Sequence, residues 1–107
     1  MFFVRSMKKA EILNFGSYIR TLREEEGVPL RKIAAQLDID PSTLGKIEKN
    51  SRNPNLKQIE QLAGIFSVEA SELHARYLSD QIAAELKPLR YKDKILEMTK
   101  QKLYQKR

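Results

Sequence analysis

The 107-residue sequence predicts an all-α protein, five helices followed by a C-terminal helical extension. Three observations carry this prediction. Apolar residues recur at steps of three and four along most of the chain. No stretch alternates apolar and polar residues over a useful length, and β-branched clusters are missing. Helix punctuation falls between the periodic segments, above all Gly27, Asp40-Pro41 and Pro88.

Taken in order, Ile12, Phe15, Ile19 and Leu22 form the apolar line of a first helix, which Gly27 stops. A short second helix places Leu30, Ile33, Ala34 and Leu37 on one face, with Pro29 suited to its first turn. At Asp40-Pro41 an N-capping carboxylate followed by a proline at the first helical position starts a third helix, with Leu44 and Ile47 inward. Asn50-Ser51-Arg52-Asn53-Pro54 is a loop by composition. A fourth helix from about Asn55 should bury Leu56, Ile59, Leu62, Ala63 and Phe66. A fifth runs from about Glu69 to Lys87 along Leu73, Tyr77 or Leu78, Ile82 and Leu86, and Pro88 ends it. Residues 91–105 form the extension, with a thin apolar face of Tyr91, Ile95 and Met98.

Composition excludes several classes. Without cysteine there is neither a disulfide framework nor a thiolate metal site, and the single histidine, His74, cannot supply a histidine-rich one. The four glycines, Gly16, Gly27, Gly45 and Gly64, are scattered, so no phosphate-cradling loop exists. No base accompanies a candidate nucleophile, and no catalytic residue, metal or cofactor is expected. No apolar run is long enough to span a bilayer, and the opening Met-Phe-Phe-Val lacks the basic start of a signal peptide. A soluble, cytoplasmic protein with no membrane partner is expected.

The formal net charge is +6, but its location matters more than its size. Residues 1–86 are neutral overall, with a local +3 across 27–58 and −4 across 59–86. The excess lies in residues 87–107, where eight basic groups face only Asp93 and Glu97. A charged terminal segment is more often solvated than bound, so the tail alone makes no case for nucleic acid.

The informative feature is the pair of short helices separated by Asp38-Ile39. The connection is too tight for an antiparallel hairpin, which points to helix-turn-helix geometry. Ile33, Leu37, Ile39, Leu44 and Ile47 fall at the packing positions of such a unit, and the small Ala34 falls where two helices approach closely. The outward positions of the third helix are Ser42, Thr43, Gly45, Lys46 and Lys49, all small or basic; Glu48 is its only acid.

From Phe15 to Leu73 the sequence resembles the Cro and phage-repressor type of helix-turn-helix regulator, the xenobiotic-response-element family. The resemblance rests on Ile19 to Gly27, then Ile33-Ala34-Ala35-Gln36-Leu37, then Ser42-Thr43-Leu44-Gly45-Lys46-Ile47-Glu48, then Asn53-Pro54 and Leu62-Ala63. Each fragment is weak alone, whereas their order and spacing together are specific. It implies a repressor-like DNA-binding domain over residues 11–75. Residues 1–10 would then be an N-terminal arm, with Met7 as an alternative start, and residues 76–107 a basic extension available for dimerisation.

The resemblance further implies that the third helix lies in the major groove of double-stranded DNA. Carried over position by position, Pro41, Ser42 and Lys46 fall where the family reads bases, with Thr43 beside them. Arg31, Lys49, Asn50, Ser51, Arg52, Asn53 and Asn55 fall where it touches phosphates. Arg23 and Glu48 match its inter-helix ion pair. Three departures stand out: Leu30 replaces a glutamine, Asp38 replaces the glycine of the turn, and Pro41 replaces a polar reader. Direct readout should therefore be sparse and lean on Lys46 and Ser42.

The expected function is a non-enzymatic, sequence-specific regulator of transcription that binds a near-palindromic operator as a homodimer. The alternative is an antitoxin-like autoregulator whose C-terminal helices hold a partner toxin protein. Tyr77, Tyr91 and Tyr104 are open as either dimer seam or half-buried filler.

Overall fold

The computed structural model describes residues 12–106, so the expected arm over 1–10 and the alternative start at Met7 lie outside the described residues. All regular structure among them is helical: α1 (Phe15–Glu25), α2 (Leu30–Leu37), α3 (Pro41–Glu48), α4 (Leu56–Phe66), α5 (Ala70–Leu86) and α6 (Lys92–Tyr104). The expected all-α architecture, five helices and an extension, is the one observed.

One device ends four of these helices. Gly27, Asp38, Asn50 and Ser67 all adopt the left-handed conformation, with φ of 67°, 60°, 63° and 54°. In each case the next residue returns its N–H to a carbonyl five residues back: Val28 to Arg23, Ile39 to Ala34, Ser51 to Lys46 and Val68 to Ala63. Val28, Ile39 and Val68 then pack against the core, so the stops for α1, α2 and α4 also turn an apolar side chain inward. Glycine adopts this conformation freely, and Asp and Asn tolerate it better than most residues.

The core joins α1 to α5. Ile19, Leu22, Ile33, Leu44, Ile47, Ile59, Leu62, Phe66 and Leu73 are its largest fully buried side chains. Burial of each contributes roughly 1.5–3 kcal/mol against its exposed state, which makes this apolar cluster the main source of stability. Between elements, α1 packs on α3, α4 and α5, α2 packs on α3 and α4, and α4 packs on α5.

Long-range ties hold α5 against the start of α1. The Phe15 N–H donates to Asp80 Oδ2 at 2.6 Å, and Arg76 Nη1 donates to the Leu13 carbonyl at 3.1 Å. The Arg76 guanidinium also lies 3.9 Å from the centre of the Tyr18 ring. Tyr77 meets Phe15 edge-on at 5.6 Å, and so belongs to the fold of its own chain.

Several sequence-based expectations change. Ile12 is 82% exposed and precedes α1, so the first apolar line begins at Phe15. Leu56 is 52% exposed because it stands in the first turn of α4, at the edge of the apolar face. Pro29 occupies the N-cap of α2 and not its first turn. Asp40 is the N-cap of α3, yet its carboxylate makes no capping bond; its backbone carbonyl accepts from Thr43 and Leu44 instead. Along α5 only Leu73 is buried, while Leu78 and Ile82 are largely exposed.

Candidate nucleic-acid interface

The candidate surface is built on α3, a helix of eight residues set between two left-handed stops. Two turns of helix are too short to persist alone in water, so tertiary contacts must hold it. Leu44, Ile47 and Glu48 supply these contacts from its inner face. Pro41, Ser42, Lys46 and Lys49 are exposed on the other side, and Thr43 and Gly45 are half-buried. Pro41 opens the helix at a position where a missing N–H costs nothing.

Glu48 faces inward to meet Arg23 of α1. Arg23 Nε lies 2.7 Å from Glu48 Oε2 and Nη2 lies 3.0 Å from Oε1, a two-pronged pairing of guanidinium and carboxylate. A third donor, Nη1, reaches the Val28 carbonyl at 3.0 Å in the connection to α2. The hydrogen bond to Glu48 raises the Arg23 pKa above its ordinary value, outweighing the opposing effect of burial. The pair thus removes the only acid of α3 from its outer face.

Behind α3 a glycine permits close approach. A Cβ on Gly16 would collide with the Ile47 carbonyl oxygen and lie 2.7 Å from both the Glu48 carbonyl oxygen and Asn50 Oδ1. The Gly16 N–H instead donates to Asn50 Oδ1 at 2.9 Å, and Asn50 Nδ2 donates to Ser17 Oγ at 3.4 Å. Asn50 therefore has a structural task, anchoring the end of α3 to the first turn of α1. Ser51 likewise turns its hydroxyl back to the Lys46 carbonyl at 3.2 Å.

Asn55 caps α4 reciprocally with Gln58. Its Oδ1 accepts from the Gln58 N–H at 2.8 Å, and Gln58 Oε1 accepts from the Asn55 N–H at 2.9 Å. Between these anchors Arg52 and Asn53 are exposed, while Pro54 is buried beneath them. Arg31 is exposed in the first turn of α2. Leu30 is half-buried against the core, and its Cδ2 lies 3.8 Å from where a Gly45 Cβ would stand. It packs at the position where the resemblance implies a polar contact. Arg52 also borders a depression with Asp38, Asp40, Thr43 and Gln58, so the rim of the surface near the α2–α3 turn is mixed in sign.

The structure thus brings Arg31, Pro41, Ser42, Thr43, Lys46, Lys49, Arg52 and Asn53 to the outside of α2, α3 and the following loop, while Asn50, Ser51 and Asn55 spend side-chain bonds within the fold. Sequence reasoning did not find Gly16, Arg76 or Asp80. Gly16 gave no local signal. The partners of Arg76 and Asp80 at Leu13 and Phe15 lie more than sixty residues away. The Asn55–Gln58 capping pattern was visible as an Asn followed three residues later by Gln.

These elements define a helix-turn-helix domain. A model of the helix-turn-helix family matches residues 19–73, just over half of the chain, and the protein belongs to that family, in its Cro-type, xenobiotic-response-element branch. The chain is also 30% identical over 70 residues to the HTH-type transcriptional regulator DdrOP3 of Deinococcus deserti. That match covers 64% of this chain and 54% of the regulator, so it spans about half the length of the relative. No solved structure matches the chain. No described helix is long and apolar enough to cross a membrane.

Proposed function

We propose that the chain is a DNA-binding transcriptional regulator that reads a near-palindromic operator as a homodimer, with α3 as its recognition helix. The observation that carries the reading is the outer face of α3. It presents Ser42, Lys46 and Lys49 to solvent, and its one acid is turned inward onto Arg23. Family membership and the relative named as a transcriptional regulator support the same reading.

In this reading Lys46 donates to guanine O6 and N7, and Ser42 bonds to a neighbouring base edge. Pro41 and Thr43 offer apolar contact, for instance to a thymine methyl. Arg31, Lys49, Arg52 and Asn53 neutralise or bond to phosphates, the last two from a loop that the side-chain bonds of Asn50, Ser51 and Asn55 hold in place. So few polar readers give one module little discrimination. A two-fold dimer on half-sites about one helical turn apart supplies the rest, aided by DNA shape.

Selection of bound sequences from random duplex DNA tests the reading. A recovered inverted repeat, bound with an affinity that falls steeply with salt, is the expected result. Failure to enrich any sequence, together with salt-insensitive binding, would overturn it.

An antitoxin-like role is the second reading, favoured by the exposed Leu96, Met98 and Leu103 of α6. It requires a stable complex with a small protein encoded beside this one, and co-expression with that neighbour tests it.

A further inference from the structure

We propose that α6 is an exchanged arm, seated in the dimer on the C-terminal half of the partner's α5 while the partner's α6 covers the equivalent surface in return. The inference deepens the dimeric reading above and rests on it.

The first half of α5 is fastened to its own domain by Leu73, Arg76, Tyr77 and Asp80. Beyond Asp80 the helix has little support, with Leu86 alone half-buried. Residues 81–85 are all exposed, and Leu78 and Ile82, one turn apart on the same face, are 45% and 55% exposed. α6 buries no residue at all and makes no more than marginal contact with other elements. Its Tyr91, Leu96, Met98 and Leu103 are about half exposed or more. At helical spacing, Tyr91, Ile95 and Met98 form one edge of a broad face, and Leu96, Thr99 and Leu103 form the other. Ile95 is its one half-buried side chain, and a thirteen-residue helix with so little packed against it is marginal in water.

Charge selects what covers this face. The C-terminal half of α5 carries Asp80 and Glu85 with no base between Arg76 and Lys87, and since Asp80 accepts from the Phe15 N–H, Glu85 is its exposed acid. α6 carries Lys92, Lys94, Lys100 and Lys102 against Asp93 and Glu97, a net of +2. Pairing α6 with α6 would bring two net-positive helices together, and pairing the C-terminal halves of α5 would set Glu85 against its copy. DNA would neutralise the α6 lysines but leave Leu96, Met98 and Leu103 in water. An α6 laid on the partner's α5 joins opposite charges and covers both apolar faces, and the two-fold symmetry repeats the contact.

Two single substitutions in the full chain provide the test. Ile82→Asp spoils the receiving face and Leu103→Asp spoils the arm; both side chains are already exposed, so far-UV circular dichroism should change little in either. By sedimentation, the parent chain should have twice its chain mass, and each variant should dissociate at least about tenfold more readily. A mixture of the two variants should form a heterodimer more readily than either forms a homodimer, because the sound arm of one meets the sound face of the other. Raised salt should weaken the parent dimer.

A parent chain that stays monomeric, a dimer indifferent to both substitutions, or a mixture that does not recover would each overturn the exchange. If Leu103→Asp loses helix, Lys100→Glu with Lys102→Glu replaces it, and a dimer of unchanged affinity would then be the contrary result. DNA binding followed in the same samples separates the two readings. A dimer that selects an inverted repeat yet is indifferent to both substitutions overturns the exchange alone, whereas a recovered exchanged dimer without DNA affinity overturns the DNA-binding reading alone.

Discussion

The Gly16 N–H donates to Asn50 Oδ1 across 2.9 Å, joining the first turn of α1 to the residue that ends α3. Gly16→Ala should therefore destabilise the fold by roughly 1–3 kcal/mol, because the added carbon collides with the backbone of α3. Intrinsic helix propensity has the opposite sign and favours alanine by about 1 kcal/mol. Urea unfolding decides between them: a variant more stable than the parent would show that α1 and α3 can separate without cost.

The Arg23–Glu48 pair gives a second expectation. Arg23→Met leaves the Glu48 carboxylate, 6% exposed, without its partner and should cost about 3–5 kcal/mol. Arg23→Met with Glu48→Leu should recover much of that loss, since no charge is then stranded. Thermal unfolding of the three chains checks both statements; a double variant no better than the single would sink the idea.

The pH behaviour of that pair has a definite sign. A guanidinium whose pKa rises on folding contributes stability in full below its ordinary value and loses it only as pH climbs through the raised one. Titration of Arg23 therefore contributes no slope to stability between about pH 5 and 9. An excess slope in the parent over the Arg23→Met, Glu48→Leu double variant in the alkaline half of that range would contradict this.

Ser67 holds a left-handed conformation that its side chain disfavours. Ser67→Gly should stabilise the protein by up to about 1 kcal/mol, and Asp38→Gly by less, since aspartate tolerates that region better. Greater chain entropy in the unfolded glycine variants offsets part of the gain. Chemical denaturation of both variants gives the ranking, which fails if Asp38→Gly gains more.

On the proposed reading, Lys46→Ala should weaken binding to the selected operator by roughly 1–3 kcal/mol and relax preference at one base position. Competition titrations against operators altered base by base measure this. An equal loss on random DNA would place Lys46 on a phosphate.

Most of the helical frame was legible because its signals are local. Gly27 stops α1, Pro41 starts α3, and the three-and-four spacing of Ile59, Leu62, Ala63 and Phe66 marks the buried side of α4. The remaining three left-handed stops were harder to read. Asp38 was a departure from glycine, and Asn50 and Ser67 gave no comparable cue, because what marks each stop is the bond that the following residue returns to a carbonyl five residues back. Of the candidate surface, the outward placement of Lys46 and Ser42 follows from register, and their role as readers from the resemblance. That Asn50 faces back to α1, and that Leu30 lies over Gly45, depends on distances between helices that spacing along one helix cannot express.

The shortness of α3 has a consequence for dosage. Two turns of helix, clamped by Gly16, Arg23 and Asn50, have no independent existence to fall back on. A nascent, nicked or partly unfolded chain then offers no weaker version of the reading surface. On the proposed function, occupancy of an operator tracks the count of folded molecules alone, and damaged copies leave the competition for DNA instead of blurring it.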